Sequence, residues 1–165
     1  MYYENVFTSL QKNNIRYAVA GGVALVLHGI VRFTADLDLI VDLEADNLKR
    51  FVQAMTGLGY QPRNPVPAED FINPEIRKAW KRDKSMEVFS FVDPAQPITL
   101  IDVFVEEKIP FRDVFQEAIQ VTAKGITIPV VSLRHLKRLK QAAGRPQDLA
   151  DIEAIDALER TEDEQ

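Results

Sequence analysis

The sequence predicts an α/β protein in which helices pack against a mixed, twisted β-sheet. Its residues 1–165 suit a single compact domain, since domains mostly contain roughly 100 to 200 residues. Short β-rich segments alternate with helical segments, as is typical of a sheet covered by helices. Two β-rich segments are separated only by DPAQP (93–97), so we expect them to form neighbouring antiparallel strands.

The N-terminal half is expected to contain three helices and two strands. In chain order these are a helix over residues 2–13, a strand over Tyr17–Ala20, a short buried helix over 23–29, a strand over 37–42 and a helix over 45–58. The helix over 45–58 has the clearest pattern, because apolar side chains recur on one face at helical spacing. These side chains are Leu48, Phe51, Val52, Met55 and Leu58.

The C-terminal half is expected to begin with an irregular loop over residues 61–74, which contain four of the nine prolines. Strands are predicted over 86–92, 98–105 and 126–131. Ser132 is expected to cap a helix that Gly144 ends, and Pro146 is expected to open a last helix. The apolar face of that helix is predicted to hold Leu149, Ile152, Ile155 and Leu158. The acidic residues 159–165 are expected to be flexible.

The composition excludes several classes of protein. Hydrophobic residues make up 46% and charged residues 27% of the chain, values that rule out a disordered, collagen-like or coiled-coil protein. Without cysteine there is no disulfide, no thiolate nucleophile and no cysteine zinc site. The two histidines, His28 and His135, are too few for a histidine metal cluster. Any metal ion would therefore be bound mainly by oxygen atoms.

Charge and hydropathy predict a cytoplasmic protein and do not exclude a polyanionic ligand. The first residues do not resemble a signal peptide, and the longest apolar run, residues 18–27, is about half of the ~20 residues that cross a membrane. The net charge is −5, but residues 148–165 hold eight acids against one base, which leaves residues 1–147 net positive. The acidic balance therefore does not exclude a polyanionic ligand.

Two glycines and three aspartates carry the chemical signal. Gly21 and Gly22 end a strand and begin a helix, where exposed backbone N–H groups can meet a phosphate, although such pairs more often form only a tight turn. Asp36 and Asp38 lie two residues apart on a strand, so that both carboxylates point to the same face. A solvated strand face is the commoner explanation of that spacing.

The third aspartate, Asp102, favours a metal site over a solvated surface. It interrupts the apolar strand ITLIDVFV (98–105), where a lone carboxylate is costly unless it is paired or bound to metal. Three carboxylates from two strands suit Mg²⁺, or Mn²⁺ in its place, because both ions prefer oxygen ligands. Such ions assist phosphoryl transfer by stabilising the attacking hydroxyl and the leaving pyrophosphate.

These motifs resemble those of the nucleotidyltransferase superfamily that includes DNA polymerase β. The resemblance rests on AGG (20–22), thirteen further residues, DLDL (36–39), and the later aspartate in IDV (101–103). It implies the nucleotidyltransferase core fold and transfer of a nucleoside monophosphate from a nucleoside triphosphate to a hydroxyl, with release of pyrophosphate. It also implies that Asp36 and Asp38 bind the ions, that Asp102 completes the site and helps to deprotonate the acceptor, and that Gly21 and Gly22 hold the triphosphate.

The C-terminal segment KQAAGRPQDLADI (140–152) is similar to the closing motif of small stand-alone members, including nucleotidyltransferases of abortive-infection toxin–antitoxin systems. Many members have Gly-Ser where this chain has Gly21-Gly22, so it lacks that serine hydroxyl. An alternative is therefore a non-catalytic partner with the same fold, such as one component of a toxin–antitoxin pair. The acceptor of the proposed reaction stays open between an RNA end, a protein side chain and a small molecule.

Two cations outside these motifs are candidates for binding the nucleotide. Lys140 lies in the apolar stripe of its helix, four residues after Leu136, so its stem is expected to face the protein. Its ammonium group then snorkels to solvent, pairs with an acid or meets a phosphate. Lys137 is expected to remain in solvent. Arg32 either reaches the phosphates or pairs with an acid.

The basic segment 77–84 and His28 have two interpretations each. Five cations surround Trp80 in this segment, a composition that suits a nucleic-acid surface. A charged helix face with a half-buried tryptophan is the favoured interpretation. His28 is expected to be a packed or hydrogen-bonded residue rather than a ligand.

Overall fold

A computed structural model describes residues 3–165. Within them the chain forms seven α-helices, one 3₁₀ helix and a single seven-stranded sheet, which confirms the predicted mixed α/β class. In chain order the elements are α1 (Glu4–Lys12), β1 (Tyr17–Ala20), α2 (Gly21–Leu27), β2 (Leu37–Val41), α3 (Ala45–Gly57), β3 (Gln61–Pro62), the 3₁₀ helix (Ala68–Ile72), α4 (Pro74–Lys84), β4 (Val88–Asp93), β5 (Gln96–Phe104), α5 (Phe111–Glu117), β6 (Ile119–Ala123), β7 (Ile126–Val130), α6 (Leu133–Ala143) and α7 (Pro146–Asp163).

The sheet has the strand order β3-β4-β5-β2-β1-β7-β6. The pairs β2–β5 and β1–β7 are parallel, and the other four pairs are antiparallel. The predicted antiparallel pairing across DPAQP is confirmed as the β4–β5 hairpin. Strands β4, β5, β2 and β1 therefore lie side by side in the centre of the sheet, and they carry the predicted site.

An aromatic cluster fills the core on one face of these strands. Phe89 and Phe91 of β4 meet edge to face at 5.2 Å between ring centroids, and Phe51 of α3 approaches Phe91 at 5.8 Å. Phe71 of the 3₁₀ helix stacks on Phe89 at 5.4 Å. The same face of β2 and β5 buries aliphatic side chains. The opposite, less buried face carries Asp38, Ser90 and Asp102 among apolar side chains.

Some predicted boundaries are wrong. Helix α2 begins at Gly21 itself, and the predicted first residue of α1, Tyr2, lies outside the described residues. Residues 61–74 are not irregular throughout, because β3 pairs with β4 and the 3₁₀ helix follows. Helix α5 and the edge strand β6 were not predicted, since α5 has only seven residues and β6 is mostly exposed. Short or polar elements of this kind give weak periodic signals.

The basic segment forms the charged helix α4, and its tryptophan faces the core. Trp80 is 7% exposed and stacks on Phe89 at 4.9 Å. The Arg77 guanidinium is also buried and donates to the Phe71 carbonyl. Lys81 forms an ion pair with Glu87. The structure therefore favours the charged helix over a nucleic-acid surface.

Helices α6 and α7 follow each other in the chain and pack against each other. The turn between them contains Gly144, which ends α6. The predicted cap is confirmed, since the Ser132 hydroxyl accepts from the His135 N–H. The predicted apolar face of α7 is wrong at Leu149, which is 56% exposed, whereas Asp148 and Asp151 are buried. Helix α7 continues to Asp163, and flexibility of residues 159–165 stays a prediction.

None of the helices formed by residues 3–165 has the length and apolar character needed to cross a membrane. This agrees with the short apolar run noted in the sequence. The cytoplasmic location stays a prediction.

Candidate active site

Polar side chains line up across three neighbouring strands, and the glycine turn follows the fourth. Asp38 of β2 is in register with Asp102 of β5, and Asp102 is in register with Ser90 of β4. On the other side, Asp38 is in register with Ala20, the last residue of β1 before the glycine turn. Adjacent strands lie about 4.8 Å apart, so the two aspartates are direct neighbours on the less buried face. The two strands therefore bring Asp38 and Asp102 together, while their role as site residues stays a prediction.

Asp36 lies one residue before β2 rather than on it. Its carboxylate accepts a hydrogen bond from the Leu100 N–H at 3.3 Å, which turns Asp36 toward β5. Its charge acts on both Asp38 and Asp102. The structure thus places Asp36 and Asp38, at the start of β2, next to β5, which carries Asp102, although the strand alternation does not apply to Asp36.

Asp102 lies on the open face of β5, which the sequence did not indicate. The buried face of this strand carries Thr99, Ile101 and Val103, whereas Ile98 on the face of Asp102 is largely exposed. The carboxylate accepts from the Ser90 hydroxyl at 2.6 Å. The expectation of a carboxylate inside a wholly buried strand is therefore wrong, because Asp102 is half-buried and hydrogen-bonded.

The glycine turn is tight because side chains of the site occupy the space beside it. Gly21 has φ +63°, and a Cβ there would collide with the Asp38 carboxylate. A Cβ on Gly22 would lie 2.7 Å from Arg32 Nη1 and 2.8 Å from Thr34 Oγ1. Both glycines therefore allow close approach between the turn and the predicted site. The need for glycine at these positions comes from the lack of space. The predicted exposure of their N–H groups to a phosphate is a different point and stays a prediction.

Gly21→Ala is expected to disrupt the site more than the fold. The added methyl group must displace the Asp38 carboxylate, and a positive φ costs an L-residue about 1 kcal/mol or more. We expect a loss of nucleotide affinity with only a modest decrease in melting temperature. Gly59→Ala is the matched control, since Gly59 also has positive φ but has nothing near its Cβ position. Equal nucleotide affinity in the two variants would contradict this role of Gly21.

Burial and mutual repulsion raise the pKa values of two of the carboxyl groups. The pKa of Asp38 is raised to about 7 by burial and by the charges of Asp102 and Asp36, against the opposing effect of Lys140 and Arg32. The pKa of Asp102 is also raised, chiefly by burial, although the hydrogen bond from Ser90 lowers it. The positive charge near Asp38 and Asp102 is thus too small to keep their pKa values in the ordinary range.

The three aspartates offer carboxylate oxygens as ligands for Mg²⁺ or Mn²⁺, but their side chains are not arranged around one ion. Within residues 3–165, no three histidine, aspartate or glutamate side chains are arranged so that they could hold a metal ion as they stand. Carboxylate oxygens are nevertheless the ligands that these ions prefer, and a cation would relieve the repulsion between Asp38 and Asp102. The residues therefore fit such an ion by their chemistry.

Lys140 faces inward, as its helical phase predicts. Its side chain is 11% exposed, and its ammonium group lies 2.7 Å from Asp151 Oδ2 and 3.5 Å from Asp148 Oδ1. Of the alternatives left open by the sequence, the structure shows pairing with acids, and these acids belong to α7. Lys137 does not remain free in solvent as predicted, because it pairs with Asp156 and Glu159 and is 28% exposed.

Arg32 pairs with the same acid as Lys140. Its Nε donates to Asp151 Oδ1 at 2.8 Å, and its Nη1 donates to the Phe33 carbonyl at 3.3 Å. Both cations also act on Asp38, whose pKa they lower. Arg32 and Lys140 are therefore close enough to Asp38 to affect its pKa, but their ion pairs are with Asp148 and Asp151.

Several residues around the site were missed. They are Ser90, Arg63, Asp148 and Asp151; Arg63 acts electrostatically on Asp102. In the sequence, Asp148 and Asp151 belong to the acidic end and to the segment 140–152, and neither is predicted as a site residue. Their three-residue spacing in the first turns of α7, which places both on one face, is the signal that could have identified them.

His28 is packed as expected, with Nε2 2.8 Å from the Val131 carbonyl oxygen.

Several solved nucleotidyltransferases share this fold, a mixed sheet with helices packed against it. A lincomycin-bound lincosamide antibiotic adenylyltransferase, LnuA, has a TM-score of 0.61 at 15% identity, over 95% of this chain and 96% of that one. ANT(2″)-Ia in complex with adenylyl-2″-tobramycin has a TM-score of 0.60 at 13% identity, over 92% and 83%. An antigenic nucleotidyltransferase-like protein from Paracoccidioides brasiliensis has a TM-score of 0.53 at 18% identity, over 91% and 71%.

A family model identifies the chain more closely. Residues 6–161 match the model described as nucleotidyl transferase AbiEii toxin, type IV toxin–antitoxin system. The chain belongs to this family, and it is a transferase. No curated protein sequence matches it significantly.

Proposed function

We propose that the protein transfers a nucleoside monophosphate from a nucleoside triphosphate to a hydroxyl group, with release of pyrophosphate. The observation that supports this most strongly is the register of Asp38 with Asp102 on adjacent parallel strands, directly beside the turn at Gly21. The family of nucleotidyl transferases to which the chain belongs supports nucleotidyl transfer in general.

We assign Asp36, Asp38 and Asp102 to the binding of Mg²⁺ or Mn²⁺. When bound, these ions supply positive charge to the reacting hydroxyl and to the leaving pyrophosphate. The carboxylates are buried or half-buried and repel one another, so they gain more from a cation than exposed carboxylates would.

The chain's own residues have separate tasks in this scheme. Asp102 accepts the proton of the acceptor hydroxyl, and Ser90 orients its carboxylate by a 2.6 Å hydrogen bond. Gly21 and Gly22 hold the triphosphate through backbone N–H groups that no Cβ shields. Arg32 and Lys140 supply positive charge toward the same phosphates.

The acceptor is an RNA end, a protein side chain or a small molecule, and a partner protein is also proposed. The structural neighbours bound to lincomycin and to adenylyl-2″-tobramycin carry small-molecule ligands. The description of the family refers to a type IV toxin–antitoxin system, which supports an antitoxin as the partner.

The direct screen offers each of the four triphosphates, labelled at the α-phosphate, with Mg²⁺ or Mn²⁺. Total RNA, total protein and small-molecule extracts serve as separate acceptor pools. Labelling of one pool by one triphosphate supports the proposal and identifies the acceptor class. Triphosphate binding without labelling of any pool supports the alternative, a non-catalytic partner with the same fold.

Asp102→Asn is expected to decrease transfer while leaving the metal-free protein as stable or more stable. The amide keeps the shape of the side chain and can still accept from Ser90, but it removes one of the repelling charges. Thermal melting in EDTA measures the stability, and the labelling assay measures the transfer. A large decrease in metal-free stability would instead show that the Asp102 carboxylate has a structural role.

The stability of the metal-free protein should depend on pH because the pKa of Asp102 is raised. Because folding raises the pKa of Asp102, this group stabilises the fold at low pH, and the contribution is lost as the pH rises through the folded pKa. The stability advantage of Asp102→Asn in EDTA should therefore increase as the pH rises above the ordinary carboxyl range.

A further inference from the structure

The Asp151 carboxylate links two cations that come from distant parts of the chain. Its side chain is 4% exposed. Oδ1 accepts from Arg32 Nε at 2.8 Å and from Gln147 Nε2 at 3.1 Å, and Oδ2 lies 2.7 Å from Lys140 Nζ. Burial alone would raise the pKa of Asp151, but the hydrogen bonds from Lys140, Arg32 and Gln147 hold it below its ordinary value. The carboxylate is therefore ionised between the two cations.

The contact with Asp151 orients the Arg32 guanidinium toward the glycine turn. Nε is engaged by Asp151, and the terminal Nη1 lies where it would be only 2.7 Å from a Cβ on Gly22. An arginine fixed at Nε presents its terminal nitrogens in one direction, because the guanidinium group is planar. That direction is the turn at which the triphosphate is proposed to bind.

The surrounding acids do not neutralise the cations completely. Arg145 pairs with Asp148 at 2.8 Å, which leaves Asp151 as the main partner of both Arg32 and Lys140. Arg32, Lys140 and Arg145 together carry one positive charge more than Asp148 and Asp151 neutralise, before the charge of the neighbouring Asp38 is counted. A phosphate chain at the glycine turn would meet this charge.

We infer that Asp151 is a positioning residue of the nucleotide site: it holds Arg32 and Lys140 so that their remaining N–H groups face the phosphate chain of a bound triphosphate. This inference rests on the proposed function. Asp151 itself does not contact the nucleotide, so it acts only through the two cations. Its removal should affect triphosphates, whose terminal phosphates reach the cations, more than monophosphates.

The test compares Asp151→Asn with Asp156→Asn. Both substitutions remove a carboxylate of α7 that pairs with a lysine of α6, but the pair of Asp156 with Lys137 does not involve Arg32. Calorimetry with Mg²⁺ measures the affinity for each triphosphate and for the matching monophosphate. For Asp151→Asn we expect the triphosphate affinity to decrease about 10- to 100-fold and the monophosphate affinity to change less than about twofold, from the size of charge-assisted hydrogen bonds. Asp156→Asn should change neither.

Other outcomes overturn the inference in distinguishable ways. An equal decrease for both ligands, or a triphosphate affinity equal to that of Asp156→Asn, would make Asp151 a structural residue only. If either outcome is found while the wild type transfers label in the screen, the inference fails and the proposed function stands. If the wild type binds no triphosphate, the proposed function fails and the inference fails with it.

Arg32→Lys provides the second variant in case Asp151→Asn does not fold. Lysine keeps the positive charge, but its single nitrogen cannot contact Asp151 and also present further nitrogens at Gly22. The same selective loss of triphosphate affinity is expected. Unchanged affinity would overturn the inference, because the orientation of the guanidinium would then have no effect.

Discussion

Asp38→Asn is expected to decrease nucleotidyl transfer by at least about 10²-fold, comparable with the removal of one preorganised electrostatic contact in an active site. Asp38 lies between Asp102 and the glycine turn, so its carboxylate is the central one of the proposed metal site. The metal-free variant should be at least as stable as the wild type, because the amide removes a buried charge whose ionisation is unfavourable. Magnesium and a triphosphate together should raise the melting temperature of the wild type and not that of the variant.

Asp42→Asn is the matched control for this prediction. Asp42 follows the other end of β2 and pairs with Arg16, away from the predicted site. Its substitution should leave transfer unchanged. If Asp38→Asn retained wild-type transfer, or bound magnesium and triphosphate equally well, the assignment of the site would be wrong.

Lys140→Met has the second large expected effect, because it acts on both stability and affinity. Methionine keeps the apolar packing of the stem but leaves the buried Asp151 and Asp148 with one partner fewer. We expect a loss of about 3 kcal/mol in the free energy of unfolding, the low end for breaking a buried pair, since Arg32 and Arg145 still pair with these acids. Triphosphate affinity should decrease by about 1 to 3 kcal/mol, as for a charge-assisted hydrogen bond.

Lys137→Met separates the two effects of Lys140→Met. It also breaks ion pairs between α6 and α7, but these pairs are more exposed and do not reach Arg32. We expect a smaller loss of stability and an unchanged triphosphate affinity, measured by chemical unfolding and calorimetry. Equal triphosphate affinities in the two lysine variants would exclude Lys140 from the nucleotide site.

The part of the site that could be predicted depends on local periodicity. The two-residue period of a strand places Asp38 on the face opposite Leu37 and Leu39, and the structure confirms this. The 3.6-residue period of a helix predicts that Lys140 faces inward, and this is also confirmed. Asp36 departs from the pattern because β2 begins one residue later.

The partners of these side chains could not be predicted, because they depend on long-range packing. Arg32 and Asp151 are 119 residues apart and meet only when α7 packs beside the loop before β2. The acidic composition of residues 148–165 does not by itself distinguish Asp148 and Asp151 from the other acids there. Leu149 was assigned to the buried face because it is apolar, but the ion pairs of its neighbours orient the first turns of α7 differently.

The measurement that tests the central claim most directly compares one triphosphate labelled at the α-phosphate with the same triphosphate labelled at the γ-phosphate. Wild-type protein, Asp38→Asn and Asp42→Asn are each incubated with magnesium and the acceptor pool identified by the screen. We predict that wild type and Asp42→Asn transfer the α-label to the acceptor and release the γ-label as pyrophosphate, whereas Asp38→Asn transfers neither. Transfer of the γ-label to the acceptor, or transfer of the α-label that does not depend on Asp38, would contradict nucleotidyl transfer at this site.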